Sequence, residues 1–417
     1  MLYCGGGEVK ANMNLSKTLR VLAIIIAMLI FSVLSGCSTD KEKETHKKEE
    51  LQQDINGKEQ QAQNEGTRQT ETKQPIKIEN PVAKGSYPDI AVDRAGNIHI
   101  VYGRDARLYY KKFDVSIGKW SEEIDPDIKI IAAGSMGIER SDPDIVIDSQ
   151  DRPHIFAGSE YAYLDGSKWI KKRIKPDAYI RDTELAIDSK DNLYIVYRGG
   201  NQGGHVGMSK YRPGDDNWRT ITDPDLPQKG EGNHIYPDLA ISPVDDSLHL
   251  TYRQGSPTGH AYRYSTDGGI TWNFTNLSTI EEESPHIIVD YNGTVYSTTG
   301  RGHLFKKTPE GWKMITRILP AEKRENPELA VDRQNNIYCA KWGGQYNILI
   351  GDTVLGMKIL PSITGMPIGF VEMAGVDGFA YAIWEEGKTL DSDLGAGTVD
   401  ICVGKVLSNG EVVFTLN

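Results

Sequence analysis

Cysteine is scarce in this chain, and its spacing rules out several kinds of chemistry. Cys4, Cys37, Cys339 and Cys402 are the whole complement in 417 residues. No CxxC pair, zinc-ligand spacing, Gly-x-Ser-x-Gly elbow or phosphate-binding loop occurs. Cys339 and Cys402 lie in the strand-like runs Asn336-Ile337-Tyr338-Cys339 and Asp400-Ile401-Cys402-Val403. One disulfide between them is arithmetically possible, but two buried thiols are expected, because neither lies in a loop. Positive charge is also in deficit: 47 Lys and Arg face 58 Asp and Glu, giving a formal net charge of −11 and a pI near 5.4. Nucleic-acid binders carry a basic footprint, so nucleic acid is not expected as a partner. Long apolar runs are missing beyond Cys37. The single run, Val21 to Leu34, is short for a membrane-spanning helix.

That run lies in a targeting segment. Lys17 and Arg20 precede it, and it ends on Leu34-Ser35-Gly36-Cys37. Small residues before a cysteine resemble the bacterial lipobox, in which the peptide is cut before the cysteine and its thiol receives a diacylglycerol. Residues 1–36 are read as the signal peptide, with Met13 as the true start, since Met1 to Asn12 has no apolar or periodic content. Cys37 is the expected lipidation site. Residues 37–75 are rich in Lys, Glu, Gln, Asn and Thr and nearly devoid of apolar side chains, so they cannot bury enough surface to fold. They read as a disordered polar tether with a reach on the order of 35 Å. The expected location is the bacterial cell membrane, lipid-anchored and facing outside the cytoplasm.

Residues 76–417 contain one segment seven times over. Its clearest copy is Tyr87-Pro88-Asp89-Ile90-Ala91-Val92-Asp93, followed by Gly96-Asn97-Ile98-His99-Ile100-Val101-Tyr102. Copies start at Pro88, Pro143, Thr183, Pro237, Pro285, Pro327 and, in degenerate form, Pro367, a mean spacing of about 46 residues. Each holds two β-rich runs about an Asp, Asn or Gly turn, which reads as a hairpin. A second hairpin between copies usually ends on tryptophan: Trp120, Trp169, Trp218, Trp272 and Trp312. Two hairpins per period make a four-stranded blade. The predicted fold is therefore all-β, a seven-bladed β-propeller, with six blades the less favoured count. Closure borrows a strand from around Ile76 to Ile78 to pair with the run ending Val412-Val413-Phe414.

Strand alternation places two loop types on one face: the approach to each Pro-Asp, and the exit from each second strand. The approaches carry Tyr87, Arg140, Arg181, His234, Tyr236, Glu283 and Asn326. The exits carry Arg104, Arg198, Arg253 and Arg301, with Tyr197 and Tyr252 beside two of them. Guanidinium forks suit carboxylates and sulfates, and aromatic faces suit sugar rings. Arg104, Arg198, Arg253, Arg301, Tyr197 and Tyr252 are thus candidate ligand contacts. A structural role competes with this: Asp89, Asp144, Glu184, Asp238 and Glu328 follow the proline position and can pair with the exit arginines as blade-to-blade struts. Asp391 and Asp393, with Asp400 beyond, have the oxygen spacing of a loose calcium loop, although an exposed hairpin turn is the preferred reading. No other cofactor is implied.

The segment Ser265-Thr266-Asp267-Gly268-Gly269-Ile270-Thr271-Trp272 resembles the Asp-box of sialidase-type propellers. Ser265, Asp267, Gly269, Thr271 and Trp272 would be structural in it. Over residues 183–272 the similarity is to BNR-repeat propellers, including ulvan lyase-like proteins. It rests on Ile195-Val196-Tyr197-Arg198-Gly199-Gly200, Trp218, Tyr236-Pro237, Leu248-His249-Leu250 and His260 ahead of the Asp-box. That resemblance implies a histidine pair, a tyrosine and an arginine acting on an anionic uronate. Tyr236 and Arg253 fall where the tyrosine and arginine are expected. The first repeat departs, with Gly85 and Asp105 where histidines would stand, so His234 and His260 are candidates for a shifted pair. Sialidase chemistry fits less well, since no Arg-Ile-Pro occurs and Arg317-Ile318-Leu319-Pro320 comes too late.

Three functions follow from these residues. The first is a surface lipoprotein whose propeller binds carbohydrate or another extracellular ligand, anionic in character. The second is an enzyme on acidic glycans, a polysaccharide lyase before a sialidase. The third is a protein-binding scaffold.

Overall fold

The structure is a computed structural model describing residues 75–130, 143–174, 180–199, 205–212, 214–221, 235–255, 258–278, 285–317, 327–351, 353–387 and 399–416. Cys37, His234, Asp391 and Asp393 lie outside the described residues, as do Arg140, Glu283 and Asn326.

The compact unit Gln74–Asn417 is a ring of seven antiparallel blades. They span residues 83–120, 144–173, 180–221, 235–278, 286–317, 327–359 and 368–413, here blades 1 to 7. In each, the Pro-Asp run is the innermost strand and the next run the second. Each innermost strand touches that of the following blade, and blade 7 returns to blade 1. The ring closes through the N-terminal segment. Ile76–Lys77 pairs with Thr415–Leu416, the Ile78 N–H donates to the Phe414 carbonyl at 2.8 Å, and Ala83–Gly85 pairs with Val399–Ile401 of blade 7. Second-strand residues alternate into the spaces between blades, where Tyr102, Tyr252, Tyr338 and Trp384 are fully buried. Cys339 and Cys402 are buried free thiols, as the sequence led us to expect.

The innermost strands leave one backbone edge facing the axis, where N–H groups lack a ladder partner. The acidic residue after the proline position fills that need. Asp89 accepts from the Ile145 N–H of blade 2 at 2.7 Å, and Asp238 accepts from Ile287 of blade 5 at 2.7 Å. Struts between blades therefore exist, but for these two carboxylates the partner is the next backbone and not an arginine.

A second set of clasps lies at the turns joining strands one and two. Asp93, Asp148, Asp188, Asp290 and Asp332 each cap their own turn through backbone N–H groups two and four residues on. The left-handed residue of such a turn then accepts from the preceding blade. Arg94 holds Asp151 through both carboxylate oxygens, Ser149 holds Asp191, and Asp246 takes the Ser189 N–H, the Ser189 hydroxyl and Lys190 Nζ at 2.9, 2.8 and 2.7 Å. Asp246→Ala removes three bonds from a residue held at φ 59°, and should cost about 2 kcal/mol of unfolding free energy. Denaturant melts of the variant check this, and an unchanged midpoint would show the clasp to be idle.

The same turns anchor buried polar triads. His99 Nε2 meets Asp93 at 3.1 Å while Nδ1 meets the Tyr110 hydroxyl at 2.8 Å. His154 repeats this with Asp148 and Tyr161, and His249 with Ser247 and Tyr262. Such groupings look catalytic on paper. They are sealed inside the blades, and burial drives the His249 imidazole down to about 4, so they serve packing.

Candidate functional site

The exit end of blade 4 carries the site. Its innermost strand Ile235–Ile241 bulges between Ile235 and Asp238, and Tyr236 sits in the bulge with φ 54°. A left-handed tyrosine is a strained conformation, more so directly before a proline. Bulges re-aim side chains next to functional sites, and strain of this kind persists only where the surroundings impose it. Tyr87 and Asp182 take the same conformation at the matching bulges of blades 1 and 3, with φ 52° and 47°.

Arg253 lies directly across the ladder from Ile235 on one side and from His260 on the other. Residues directly opposite in antiparallel strands project from the same sheet face with Cβ atoms about 5 Å apart. Register therefore groups Arg253 with His260, while Tyr236 lies in the bulge of the strand that Arg253 pairs with. A second bulge follows His260, where Ala261 pairs with Asn276. Tyr236 and Arg253 are half-buried and His260 is fully buried. Blade 3 supplies Arg198, 3.5 Å from the Asp182 carboxylate, and His205, which stands opposite Gly199. A Cβ on Gly199 would fall 2.6 Å from the His205 ring, so only glycine lets that imidazole lie flat on the exit backbone.

The other candidates are placed differently. Arg104 is bound to Glu123 and lies over the Tyr109 ring at 4.1 Å. Arg301 is exposed in the blade 5 exit turn. Tyr197 and Tyr252 are buried in the blade interior; Tyr252 accepts a hydrogen bond from Arg263 at 3.0 Å, and Tyr197 packs over Gly207. The Asp-box forms as its motif requires. Asp267 accepts from the Ile270 and Thr271 N–H groups and from the Thr271 hydroxyl at 3.0, 2.9 and 2.6 Å, bonds that hold its carboxyl down to about 2. It lies at the far end of the third strand from His260, where Ser265 opposes Leu248, so it scaffolds the blade from the opposite face.

Sequence reading missed His205 and the axial histidine. His286 stands at the blade 5 position where five blades carry a carboxylate, and its Nδ1 is 3.3 Å from both Asp238 and Glu328. Burial opposes its charge, but Glu328 and Asp238 outweigh this and lift it to about 9. Burial raises Asp89 to about 7, and burial with four neighbouring carboxylates lifts Glu184 well above the ordinary range. Counting the register from each exit would have located both histidines. Among the described residues no group of His, Cys, Asp and Glu is arranged to hold a metal ion.

Fold and repeats define a seven-bladed β-propeller. Residues 179–338 match the family described as BNR repeat-containing family members. No curated protein matches the chain by sequence. Among solved structures it is similar to a PL25 ulvan lyase bound to GlcA(1-4)Rha3S, at 12% identity and TM-score 0.52, covering 82% of this chain and 96% of that one. The polysaccharide lyase Uly1 is similar at 12% identity and TM-score 0.52, over 82% of this chain and 94% of its own. The Cps50 (Swd1) β-propeller domain of Myceliophteria thermophila is similar at 8% identity and TM-score 0.50, over 78% and 98%. At these identities the likeness concerns the fold.

Proposed function

We infer that this chain is a membrane-anchored extracytoplasmic lipoprotein, held through Cys37, whose propeller binds an anionic carbohydrate at the exit rim of blades 3 and 4. The observation that carries the reading is the register that sets Arg253 against His260 in blade 4, on a strand whose partner bulges at the strained Tyr236. Arg253 offers a fork for a uronate carboxylate or a sulfate. The ring of Tyr236 offers a face for the sugar. A sulfated, uronate-bearing ligand in the similarly folded ulvan lyase supports that ligand class.

The placement of Tyr236 and Arg253 on facing strands of one blade favours lyase chemistry as the second reading. Arg253 would neutralise the uronate carboxylate and acidify the α-proton. Tyr236 would then remove that proton or protonate the leaving oxygen.

Binding of the purified protein to neutral, uronate-bearing and sulfated polysaccharides tests both. Saturable binding to the anionic members is expected, weakened at least tenfold in Arg253→Ala with the melting temperature unchanged. A new unsaturated uronate in the product would establish elimination. Equal binding by Arg253→Ala and the parent would remove the rim site.

A further inference from the structure

The outer edge of blade 6 is unlike the rest of the surface. Among the described residues, six of the twelve exposed large apolar side chains fall between positions 350 and 366. Leu355, Met357 and Ile359, 40%, 47% and 63% exposed, lie on the outer strand itself; Ile350 stands at the turn before it, and Ile363 and Met366 lie in the connection to blade 7, whose Ile363 N–H donates to Glu386. Backbone geometry accounts for their presentation. The fourth strand of blade 6 is broken into Thr353–Val354 and Lys358–Ile359, both paired with Gln345–Ile350; the Leu355 N–H still donates to the Ile348 carbonyl at 2.9 Å, and the break falls at Gly356-Met357. Gly356 has φ 99°, and no atom would meet a Cβ there or at Gly351 or Gly365. Positions 350–366 hold only two charged residues, Asp352 and Lys358, in a chain that is 25% charged.

We propose that this edge rests on the lipid surface to which the chain is tethered, with Leu355, Met357 and Ile359 entering the headgroup–acyl boundary. This rests on the anchoring reading of Cys37. Three observations favour lipid as the occupant. The propeller's first strand is linked to the patch: Lys358 Nζ donates to the Asn409 carbonyl at 3.0 Å, and the run from Asn409 ends at Leu416, which pairs with Ile76. That run spans at most roughly 25 Å, so tethering holds the patch at an effective concentration on the order of millimolar near the bilayer. Charge points the same way. A body of net charge −11 is repelled by anionic headgroups, and this nearly uncharged edge is where it can approach. Area argues against a second copy, because the three half-exposed side chains of the outer strand offer roughly 300 Å² against the ~800 Å² per partner of a stable interface. Docking on blade 6 would turn the rim of blades 3 and 4, two and three blades round the ring, outward.

The test uses the full lipidated chain on vesicles of phosphatidylethanolamine and phosphatidylglycerol, with an environment-sensitive dye on Leu355→Cys. The buried Cys339 and Cys402 should not compete for label. A Lys168→Cys label on the blade 2 outer turn is the control. Brominated acyl chains should quench the dye at 355 by at least half and leave the control unchanged. Met357→Asp with Ile359→Asp should abolish that quenching while the chain stays with the vesicles. A vesicle-bound chain whose 355 label is quenched no more than the control overturns the docking but leaves the anchor intact. Shielding of the label that tracks protein density and ignores the brominated lipid assigns the edge to a second copy and also overturns it. Recovery of the whole chain in the soluble fraction overturns the anchor, and the docking with it.

Discussion

Trp272→Ala should lower the unfolding free energy by about 3–5 kcal/mol, well beyond the same change at the other blade-ending tryptophans. Trp272 is 9% exposed, and its indole N–H donates to the Gly269 carbonyl at 3.1 Å, so the side chain is packed and its polar atom satisfied. The turn that presents Gly269 is fixed by Ser265 and Asp267. Trp120, Trp169, Trp218 and Trp312 end weaker versions of the motif and are only half-buried; among the described residues their indole N–H groups have no acceptor. Replacement by phenylalanine separates the two cases. Trp272→Phe should lose about 1 kcal/mol for the missing hydrogen bond, while Trp169→Phe should be near neutral. Chemical denaturation of the alanine and phenylalanine variants checks the ranking, and equal losses at Trp272 and Trp169 would refute it. Glycan binding should survive Trp272→Phe, because the Asp-box lies at the far end of its strand from His260.

Stability should fall steadily from about pH 5 to pH 9, with the melting temperature lower by roughly 5 °C at the upper end. The cause is the axial ring. Asp89 and Glu184 keep their protons in the folded state above the ordinary carboxylate value of about 4. Between about pH 4 and the folded value the native state binds more protons than the unfolded chain. Their contribution is complete below that window and is lost as pH rises through it, near 7 for Asp89. His286 acts in the same direction at higher pH. Its folded value of about 9 exceeds the unfolded one, so its stabilisation is complete below about 6.5 and is lost as pH rises through 9. Glu184→Gln should flatten the lower part of the profile and His286→Gln the upper part. Scanning calorimetry across the range decides it; a stability that rises from pH 5 to pH 8 would disprove the proton-holding ring. Asp93 and Asp148 act oppositely, since hydrogen bonds from their partners outweigh burial and hold them well below the ordinary value. Their contribution is lost only on acidification below about 4.

Much of this was legible in the order of residues. A period set by Pro-Asp and β-rich pairs implies blades, because the near-continuous apolar runs of the second strands can bury both faces only when sheets stack on each other. The strand order within a blade, the closing pair at Ile76 and the thiol state of Cys339 and Cys402 followed from the same pattern. The Asp-box was readable because all its partners lie within eight residues of one another, from Ser265 to Trp272.

What the sequence could not decide were pairings between residues far apart in the chain. A carboxylate after proline looks the same whether it meets an arginine or the next blade's amide. Only the ring geometry brings Asp89 to Ile145 and Asp238 to Ile287. The rim residues divided for the same reason: strand alternation turned Tyr197 and Tyr252 inward, Glu123 claimed Arg104, and register set Arg253 against His260. The sequence by itself determined the blade, since local hydrogen bonding and side-chain alternation write it into each repeat. Tertiary structure decided the site and the axial charge ring, because both form only where different repeats converge.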